Sequence, residues 1–391
     1  MLWPILDDEW LRSLPEYESC VECLKSDVVV GPHLGRVVGS SMTAMAFDAN
    51  SMLTSLLHGM LDDEGHLAFT RERFHRKWQE WADFFVSDRI IYKTIMPLPG
   101  LNVSEFPLKL NDELVLDRLT DDEVTRCYSV GVIRSPWPGL PLIGSEIPVG
   151  IRRATFLPKL MGDEPREPPK DGNEGFFGKR PIYRDDLVMD DVLSALRLFK
   201  RTQIRATGFA RWTDSPLLRG GIIYVARGHL PFSGAFELSE VEVPHFLELW
   251  RLLEEGAECL RFSIHRFNLA FDRGLVGDRI VDLVISAEAP LLGDTGNKDR
   301  GELRFRFALR AAKFIKRTDF GERDVYRKMR EAYDARSAVV HGGEASLPEI
   351  DVIEDLVRLG LRTALSMKED RGKLRRADYW ETLVLSEVTT S

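Results

Sequence analysis

The stretch VYRKMREAYDARSAVVHGG, residues 325–343, decides how the carboxyl-terminal part of this chain folds. Its apolar residues recur at spacings of three and four, which predicts an amphipathic helix over 321–341 that ends at the two glycines after His341. Arg336 falls in the middle of the apolar face. Because a buried guanidinium without a partner is costly, we expect an anionic group beside it.

Two neighbouring segments also place a charged residue against an apolar stripe. In DRIVDLVISAEAPLL, residues 278–292, Glu288 lies at the edge of the stripe. In ELRFRFALRAAKFI, residues 302–315, Arg310 lies on the apolar side. Two interpretations remain open. Glu288 either neutralises Arg310 or Arg336 for structural reasons alone, or orients one arginine while the other stays free for a phosphate.

The sequence pattern changes near residue 237. Beyond it, helical patterns separated by short loops predict an antiparallel bundle, with helices at about 239–256, 258–273, 276–292, 301–317, 321–341 and 348–369. A capping box, Ser239 and Glu242, opens the first of them. The tail at 374–387 is consistent with one more helix or with a docked strand.

The amino-terminal part alternates short apolar runs with Pro and Gly. These runs predict strands and turns within 27–39, 88–101, 114–119 and 221–228, with helices at 70–87 and 185–200. The segment 162–181 is rich in Pro, Gly and charge, which predicts an exposed loop. We therefore predict an α+β protein: a mixed α/β amino-terminal domain over 1–236, followed by an all-α bundle over 237–391.

The charge of the chain is unevenly distributed. A net charge of −9 argues against a protein whose whole surface binds nucleic acid. Residues 300–336, however, hold twelve Lys or Arg against six Asp or Glu, a local net charge of +6. This segment is either a local anion-binding surface or a solvated helix face with i,i+4 ion pairs.

Neither a metal site nor a membrane segment is expected. The pair Cys20 and Cys23 has no second ligand pair at similar spacing, so we interpret it as two reduced thiols. GPHLGRVVG, residues 31–39, lacks the GK[ST] of a phosphate-binding loop. The histidines of the amino-terminal half show no metal-binding spacing; they are His33, His58, His66 and His75. Without a long apolar run or a basic leader, we expect a cytoplasmic protein with no cofactor.

The helical part resembles a known family. Arg336-Ser-Ala-Val-Val-His341 matches the R-x4-6-H motif of HEPN domains. The surroundings resemble the ApeA-type branch, with matching stretches in the same order over about 237–345; they are LWRLLEEG, RFNLAFDR, DRIVDLVISAEAPLL, ELRFRFALRAA and VYRKMREAYDARSAVVHGG. MPLPGLNVSEFPL and LVLDRLTDDEV upstream resemble the amino-terminal region of such proteins.

The resemblance implies a helical bundle that forms a homodimer, in which two R-x4-6-H motifs meet in one composite site. Many members are metal-independent endoribonucleases of toxin or abortive-infection systems, and the ApeA-type branch is associated with defence against phage. Carried over, Arg336 and His341 are the catalytic pair. Histidine serves as base or acid, and arginine binds the phosphate oxygens. RNA, with tRNA as a candidate, is the expected substrate, cleaved to a 2′,3′-cyclic phosphate and a 5′-OH.

We assign supporting roles in the expected active site to further residues. Ser337 stands where many active members have Asn, Asp or His, and it lies four residues before His341, which allows it to support the imidazole. Gly343 replaces the modifiable Tyr of some HEPN antitoxin pairs, so we do not expect that regulation. With Ser337, Glu288 and Arg310 form the supporting set. The +6 segment is the expected RNA-facing surface, with RNA-binding candidates Arg304, Lys313, Lys316, Arg317 and Arg327.

Two alternatives stay open. One is a non-catalytic HEPN protein that acts as a dimerisation or nucleic-acid-binding scaffold; an enzyme needs His341 accessible beside Arg336, whereas a scaffold tolerates a buried His341. The other places an enzyme in the amino-terminal half. We expect instead that this half senses a phage-derived trigger, with the loop at 162–181 as part of the switch.

Overall fold

The computed structural model describes most of the chain. The described residues are 12–39, 44–46, 48–60, 69–133, 149–158, 160–162, 182–206, 208–213, 223–226, 235–255, 257–294, 302–315, 321–342 and 346–385. Except for Gly162, the loop predicted at 162–181 lies outside them, as do Lys316, Arg317 and Gly343.

Helices and strands alternate up to residue 238, and the described elements beyond it are all helical. The α-helices are α1 (Pro15–Ser26), α2 (Ala49–His58), α3 (Arg71–Val86), α4 (Asp121–Ser129), α5 (Ile182–Phe199), α6 (Val243–Glu254), α7 (Arg261–Ala270), α8 (Val276–Leu291), α9 (Leu303–Phe314), α10 (Glu322–Val340), α11 (Ile350–Ser366) and α12 (Ala377–Leu385). The strands are β1 (Val37–Gly39), β2 (Ala44–Ala46), β3 (Arg89–Pro97), β4 (Leu101–Val103), β5 (Leu108–Lys109), β6 (Leu114–Arg118), β7 (Val149–Pro158), β8 (Leu160–Gly162), β9 (Gly208–Thr213), β10 (Ile223–Ala226) and β11 (Phe236–Leu238).

The main sheet has six antiparallel strands in the order β10-β9-β3-β7-β6-β5. Its longest pairing joins β3 to β7, from Arg89 opposite Pro158 to Pro97 opposite Gly150. A three-stranded antiparallel sheet has the order β2-β1-β8, and β11 pairs with β4 in parallel. The combination of helices with a separate antiparallel sheet confirms the α+β class.

The segment 27–39 contains a turn and a strand, as predicted, together with a 3-10 helix, Gly31–His33. The apolar run directly after Asp27 is the turn, and Val37–Gly39 forms the strand. The Asp27 carboxylate accepts hydrogen bonds from the Val29 and Val30 N–H groups at 2.8 and 2.9 Å. This side chain therefore satisfies the donors that a strand would have used.

Of the helix and the strand that the sequence left open for the tail, the structure has the helix, α12, with Trp380 buried. The first predicted helix beyond residue 237 begins later than expected. Helix α6 begins at Val243 because Pro244 occupies its first turn. Upstream of it, the Glu242 carboxylate accepts hydrogen bonds from the Ser239 N–H and hydroxyl groups. Of the predicted capping box, only the hydrogen bonds to the Glu242 carboxylate are present, and Glu242 lies one residue before the helix.

Helices α9 and α10 form an antiparallel pair. Lys313 near the end of α9 contacts Glu322 at the start of α10, at 2.9 Å. Arg304 at the start of α9 contacts Asp334 in the second half of α10. Helix α8 packs against α7, α10 and α11, which brings Glu288 of α8 to the side of α10.

The largest hydrophobic core crosses residue 237. It joins apolar residues of β3, β6 and α5 to those of α6 through α12. Helix α5 is held by hydrogen bonds from α11: Arg358 donates to the Arg197 carbonyl at 2.9 Å and Arg362 to the Phe199 carbonyl at 3.0 Å. The division at 236/237 stays a prediction about domain organisation, and the core shows that the two parts pack together.

Among the described residues, no helix has the length and apolarity needed to cross a membrane.

Candidate functional site

The second half of α10 positions the candidate catalytic residues. Its apolar face is buried through Val325, Met329, Ala332 and Ala335, as the spacing predicts. Arg336 follows on the same side and keeps 27% of its side-chain surface exposed. The helix thus holds a guanidinium at the border between the core and solvent.

Glu288 is the anionic neighbour of Arg336. Arg336 Nη2 lies 3.8 Å from Glu288 Oε2, which is an ion pair but too long for a hydrogen bond. Burial raises the pKa of Glu288, and the positive charge of Arg336 opposes that rise. Of the two partners that the sequence left open for Glu288, the structure therefore brings Arg336 to it.

The guanidinium of Arg336 retains unused hydrogen-bond donors. Its Nε is buried, and no described residue accepts a hydrogen bond from it. Buried polar groups are normally paired, so an unpaired donor beside a long ion pair marks a place where another acceptor fits. Phosphate oxygens are acceptors of this kind, and a guanidinium binds them with two N–H groups at once.

Tyr333 belongs to the same cluster, although the sequence analysis did not select it. Its ring lies against that of Phe307, with centroids 5.4 Å apart. Burial, followed by the charge of Glu288, raises the pKa of its hydroxyl, while Arg336 lowers it. The available signal was its position three residues before Arg336, which places both side chains on neighbouring turns of one helix.

Arg310 is engaged elsewhere. Its guanidinium donates to both carboxylate oxygens of Asp294, at 2.5 and 2.9 Å, and to the Leu291 carbonyl at 2.8 Å. It also lies over the Trp380 ring, 5.1 Å from the centroid. Every contact of Arg310 thus anchors the end of α8 and α12, and none joins it to the Glu288–Arg336 pair.

His341 follows the last residue of α10 and is exposed to solvent. Its backbone N–H donates to the Ser337 carbonyl at 3.1 Å, and Gly342 turns the chain away with a φ of +71°. The left-handed conformation of Gly342 ends the helix as the sequence predicts. Ser337 therefore contacts His341 through its backbone; support of the imidazole by its hydroxyl stays a prediction.

The described RNA-binding candidates are each paired with a carboxylate. Arg304 contacts Asp334 and Lys313 contacts Glu322, in both cases between α9 and α10. Arg327 lies 3.3 Å from an oxygen of Asp324, one turn earlier on α10. These three cations are therefore paired with acids that the net charge of +6 already counts, in the manner of the solvated-face interpretation.

The described part of the chain contains no group of three or more His, Cys, Asp or Glu residues arranged to hold a metal ion. Cys20 and Cys23 lie on α1 and are exposed.

No family model, curated protein or solved structure matches this chain. The function therefore has to be argued from the geometry of the residues.

Proposed function

We propose that this protein is a metal-independent endoribonuclease of a bacterial anti-phage or toxin system, and that Arg336 and His341 carry out the cleavage. The observation that carries the proposal is the environment of the Arg336 guanidinium. It is held at the edge of the core by a loose ion pair to Glu288, and no described residue offers an acceptor to its buried Nε. A solvent-exposed histidine stands at the end of the same helix.

The chemistry requires only these residue types. The 2′-oxygen of RNA attacks the adjacent phosphorus while a histidine removes its proton. The bond from phosphorus to the 5′-oxygen breaks, and that oxygen receives a proton from a second acid. Arg336 stabilises the negative charge that accumulates on the non-bridging oxygens. The products are a 2′,3′-cyclic phosphate and a 5′-hydroxyl, so no water is consumed in this step.

The placement of the two residues on α10 favours a site shared by two chains. Arg336 and His341 are five residues apart, which is about 140° around a helix axis. A single phosphate is therefore reached more easily by the arginine of one chain and the histidine of another. A two-fold axis would also supply two histidines, one as base and one as acid.

Exposed aliphatic residues beside His341 support this homodimer. Gly277 lies against Val339, since a Cβ at Gly277 would be 3.3 Å from Val339 Cγ2. The start of α8 thus meets the end of α10. Both ends carry large apolar side chains in solvent, namely Leu275, Val276 and Val340. A second copy of the chain would cover them.

Substitution of the pair tests the proposal. Full-length wild type is compared with Arg336→Ala and His341→Ala on total tRNA and on a generic single-stranded RNA. His265→Ala serves as the matched control, because His265 is also an exposed histidine on a bundle helix. We expect loss of cleavage in the first two variants and retention in the control. RNA binding without cleavage by the wild type would instead favour the non-catalytic scaffold.

A further inference from the structure

The outer side of α10 carries a row of polar and aromatic residues that leads to His341. Starting at Arg323, the row continues at spacings of three and four, which keeps its members on one helix face. Its members are Arg323, Tyr326, Arg330, Tyr333, Ser337 and His341. All six are at least partly accessible, and Arg323, Arg330 and His341 are exposed.

An aromatic side chain of α9 borders this row. Phe305 is 49% exposed, and its ring centroid lies 6.2 Å from that of Tyr326, with the planes at 70°. Closer to the core, Phe307 and Tyr333 make the second ring contact between the two helices. The surface between the two helices, which we call the groove between α9 and α10, thus carries an exposed phenyl ring beside a tyrosine.

The cations flanking this aromatic pair differ from those selected by sequence. Arg323 and Arg330 lie one turn before and one turn after Tyr326, and neither makes an ion pair or side-chain hydrogen bond with any described residue. Among the nearby acids, Asp334 is already paired with Arg304. Glu331 lies about 100° around the helix from Arg330. Two guanidinium groups without a partner among the described residues therefore flank Tyr326, whose ring contacts the exposed Phe305.

This combination selects one class of ligand. An aromatic ring in solvent stacks on the face of an unpaired base, and guanidinium groups on either side hold the backbone phosphates. A duplex hides its base faces, so the phenyl ring adds nothing to the binding of double-stranded RNA. Tyr326 and His341 are fifteen residues apart, about 22 Å along the helix, a length that several nucleotides can follow.

We propose that the groove between α9 and α10 binds single-stranded RNA, with a base stacked on Phe305 and phosphates held by Arg323 and Arg330, and directs the strand toward His341. The choice of RNA and the direction toward His341 rest on the proposed nuclease function. The groove itself is argued from exposure, ring geometry and unpaired charge.

Binding by the full-length protein tests this groove. Fluorescence anisotropy with a labelled single-stranded 12-mer is measured in EDTA at several salt concentrations, in a His341→Ala background that prevents cleavage. We expect Phe305→Ala to raise Kd on the order of tenfold, the usual loss when a stacking aromatic is removed. Arg323→Gln combined with Arg330→Gln should reduce the slope of log Kd against log salt by about 1.4, the value for two phosphate contacts.

Matched controls separate this effect from misfolding. Phe262→Ala removes another exposed phenyl ring, and Arg251→Gln removes an arginine of α6 that is paired with Glu248 and Glu255. Both should bind the 12-mer as the parent protein does. A hairpin duplex of equal length should bind more weakly and should not respond to Phe305→Ala.

The groove is refuted if the parent protein fails to bind the 12-mer at low salt, or if Phe305→Ala and the double arginine variant bind like the controls. Equal loss of duplex and single-strand affinity in Phe305→Ala would also refute it. The nuclease proposal fails separately: RNA bound through Phe305 by a wild-type protein that does not cleave it would leave the groove standing. Cleavage that depends on His341 but not on Phe305 would leave only the nuclease.

Discussion

Arg310 donates two parallel hydrogen bonds to the Asp294 carboxylate at the junction of α8, α9 and α12. Both side chains are almost fully buried. Removing one member of such a pair leaves an uncompensated buried charge, so Arg310→Met should lower the free energy of unfolding by about 3–5 kcal/mol. Urea denaturation measures this loss. RNA cleavage per folded molecule should stay at the wild-type level, because Arg310 does not contact the Glu288–Arg336 pair.

The double variant Arg310→Met, Asp294→Asn is the control for that prediction. It removes both charges and should recover most of the lost stability. If Arg310→Met instead abolished cleavage while leaving the unfolding curve unchanged, Arg310 would be part of the site rather than a structural anchor.

Glu288 should make stability depend on pH. Burial raises its pKa above the ordinary value of 4.5, so the folded protein binds this proton more tightly than the unfolded chain does. The resulting stabilisation is complete below pH 4.5 and is lost as the pH rises through the folded-state pKa. Relative to Glu288→Gln, the wild type should therefore become progressively less stable as the pH rises above 4.5. Chemical denaturation at several pH values, at constant ionic strength, measures the difference.

A wild type that gained stability over Glu288→Gln as the pH rose would show the opposite sign. In that case, attraction to Arg336 would outweigh burial at Glu288, and the guanidinium would be more tightly held than the 3.8 Å separation indicates.

The four cysteines should divide into three reactive thiols and one inert thiol. Cys20, Cys23 and Cys259 are exposed. Burial, followed by the charge of Glu123, raises the pKa of the Cys127 thiol to about 12. Because the thiolate is the reactive form, a disulfide reagent at pH 8 should titrate three thiols quickly in the native protein and the fourth only after unfolding. If only one thiol reacted in the native protein, and a reductant or chelator raised that number to three, our interpretation of Cys20 and Cys23 as reduced free thiols would be contradicted.

The helical part should depend on α5 for its stability. Arg197 of α5 is fully buried, and its guanidinium donates to the Ile204 and Asn268 carbonyls at 3.0–3.1 Å. A fragment of residues 237–391 would lose this helix and expose the core beneath it. We expect that fragment to unfold at lower urea concentration than the full chain, with a broader transition. A longer fragment that also contains residues 182–236 should show a sharp transition again. If the fragment 237–391 were as stable as the full chain, the boundary at 237 would separate independent domains.

The sequence was sufficient for α3, α5 and the helices beyond residue 237, and for the position of Arg336, because helical periodicity depends only on local spacing. It did not predict α1, α2 or α4. It could not identify the partner of Arg310, since Asp294 lies beyond the end of α8 and a helical wheel does not place residues outside the helix. Nor could the sequence show which part of 27–39 is a turn and which is a strand. Three consecutive valines favour a strand, but one carboxylate bonded to two backbone N–H groups forms a turn instead.

The sequence also could not show which arginines of α10 are paired with a carboxylate and which are not. Arg304, Lys313 and Arg327 were selected by local charge, yet whether each is available depends on the carboxylates that packing brings near. Asp334 reaches Arg304 only because α9 and α10 are antiparallel, with this register. Arg323 and Arg330 have no such neighbour within the described ranges, and nothing in their spacing distinguishes them from the paired arginines.

The proposed nuclease is tested most directly by the end groups of RNA fragments produced in EDTA by the full-length protein. We predict cleavage that persists in EDTA, fragments with a 2′,3′-cyclic phosphate and a 5′-hydroxyl, and a rate at least 100-fold lower in His341→Ala, the loss expected when an acid–base group is removed. Fragments with 5′-phosphates, cleavage abolished by EDTA, or His341→Ala cleaving at the wild-type rate would contradict it.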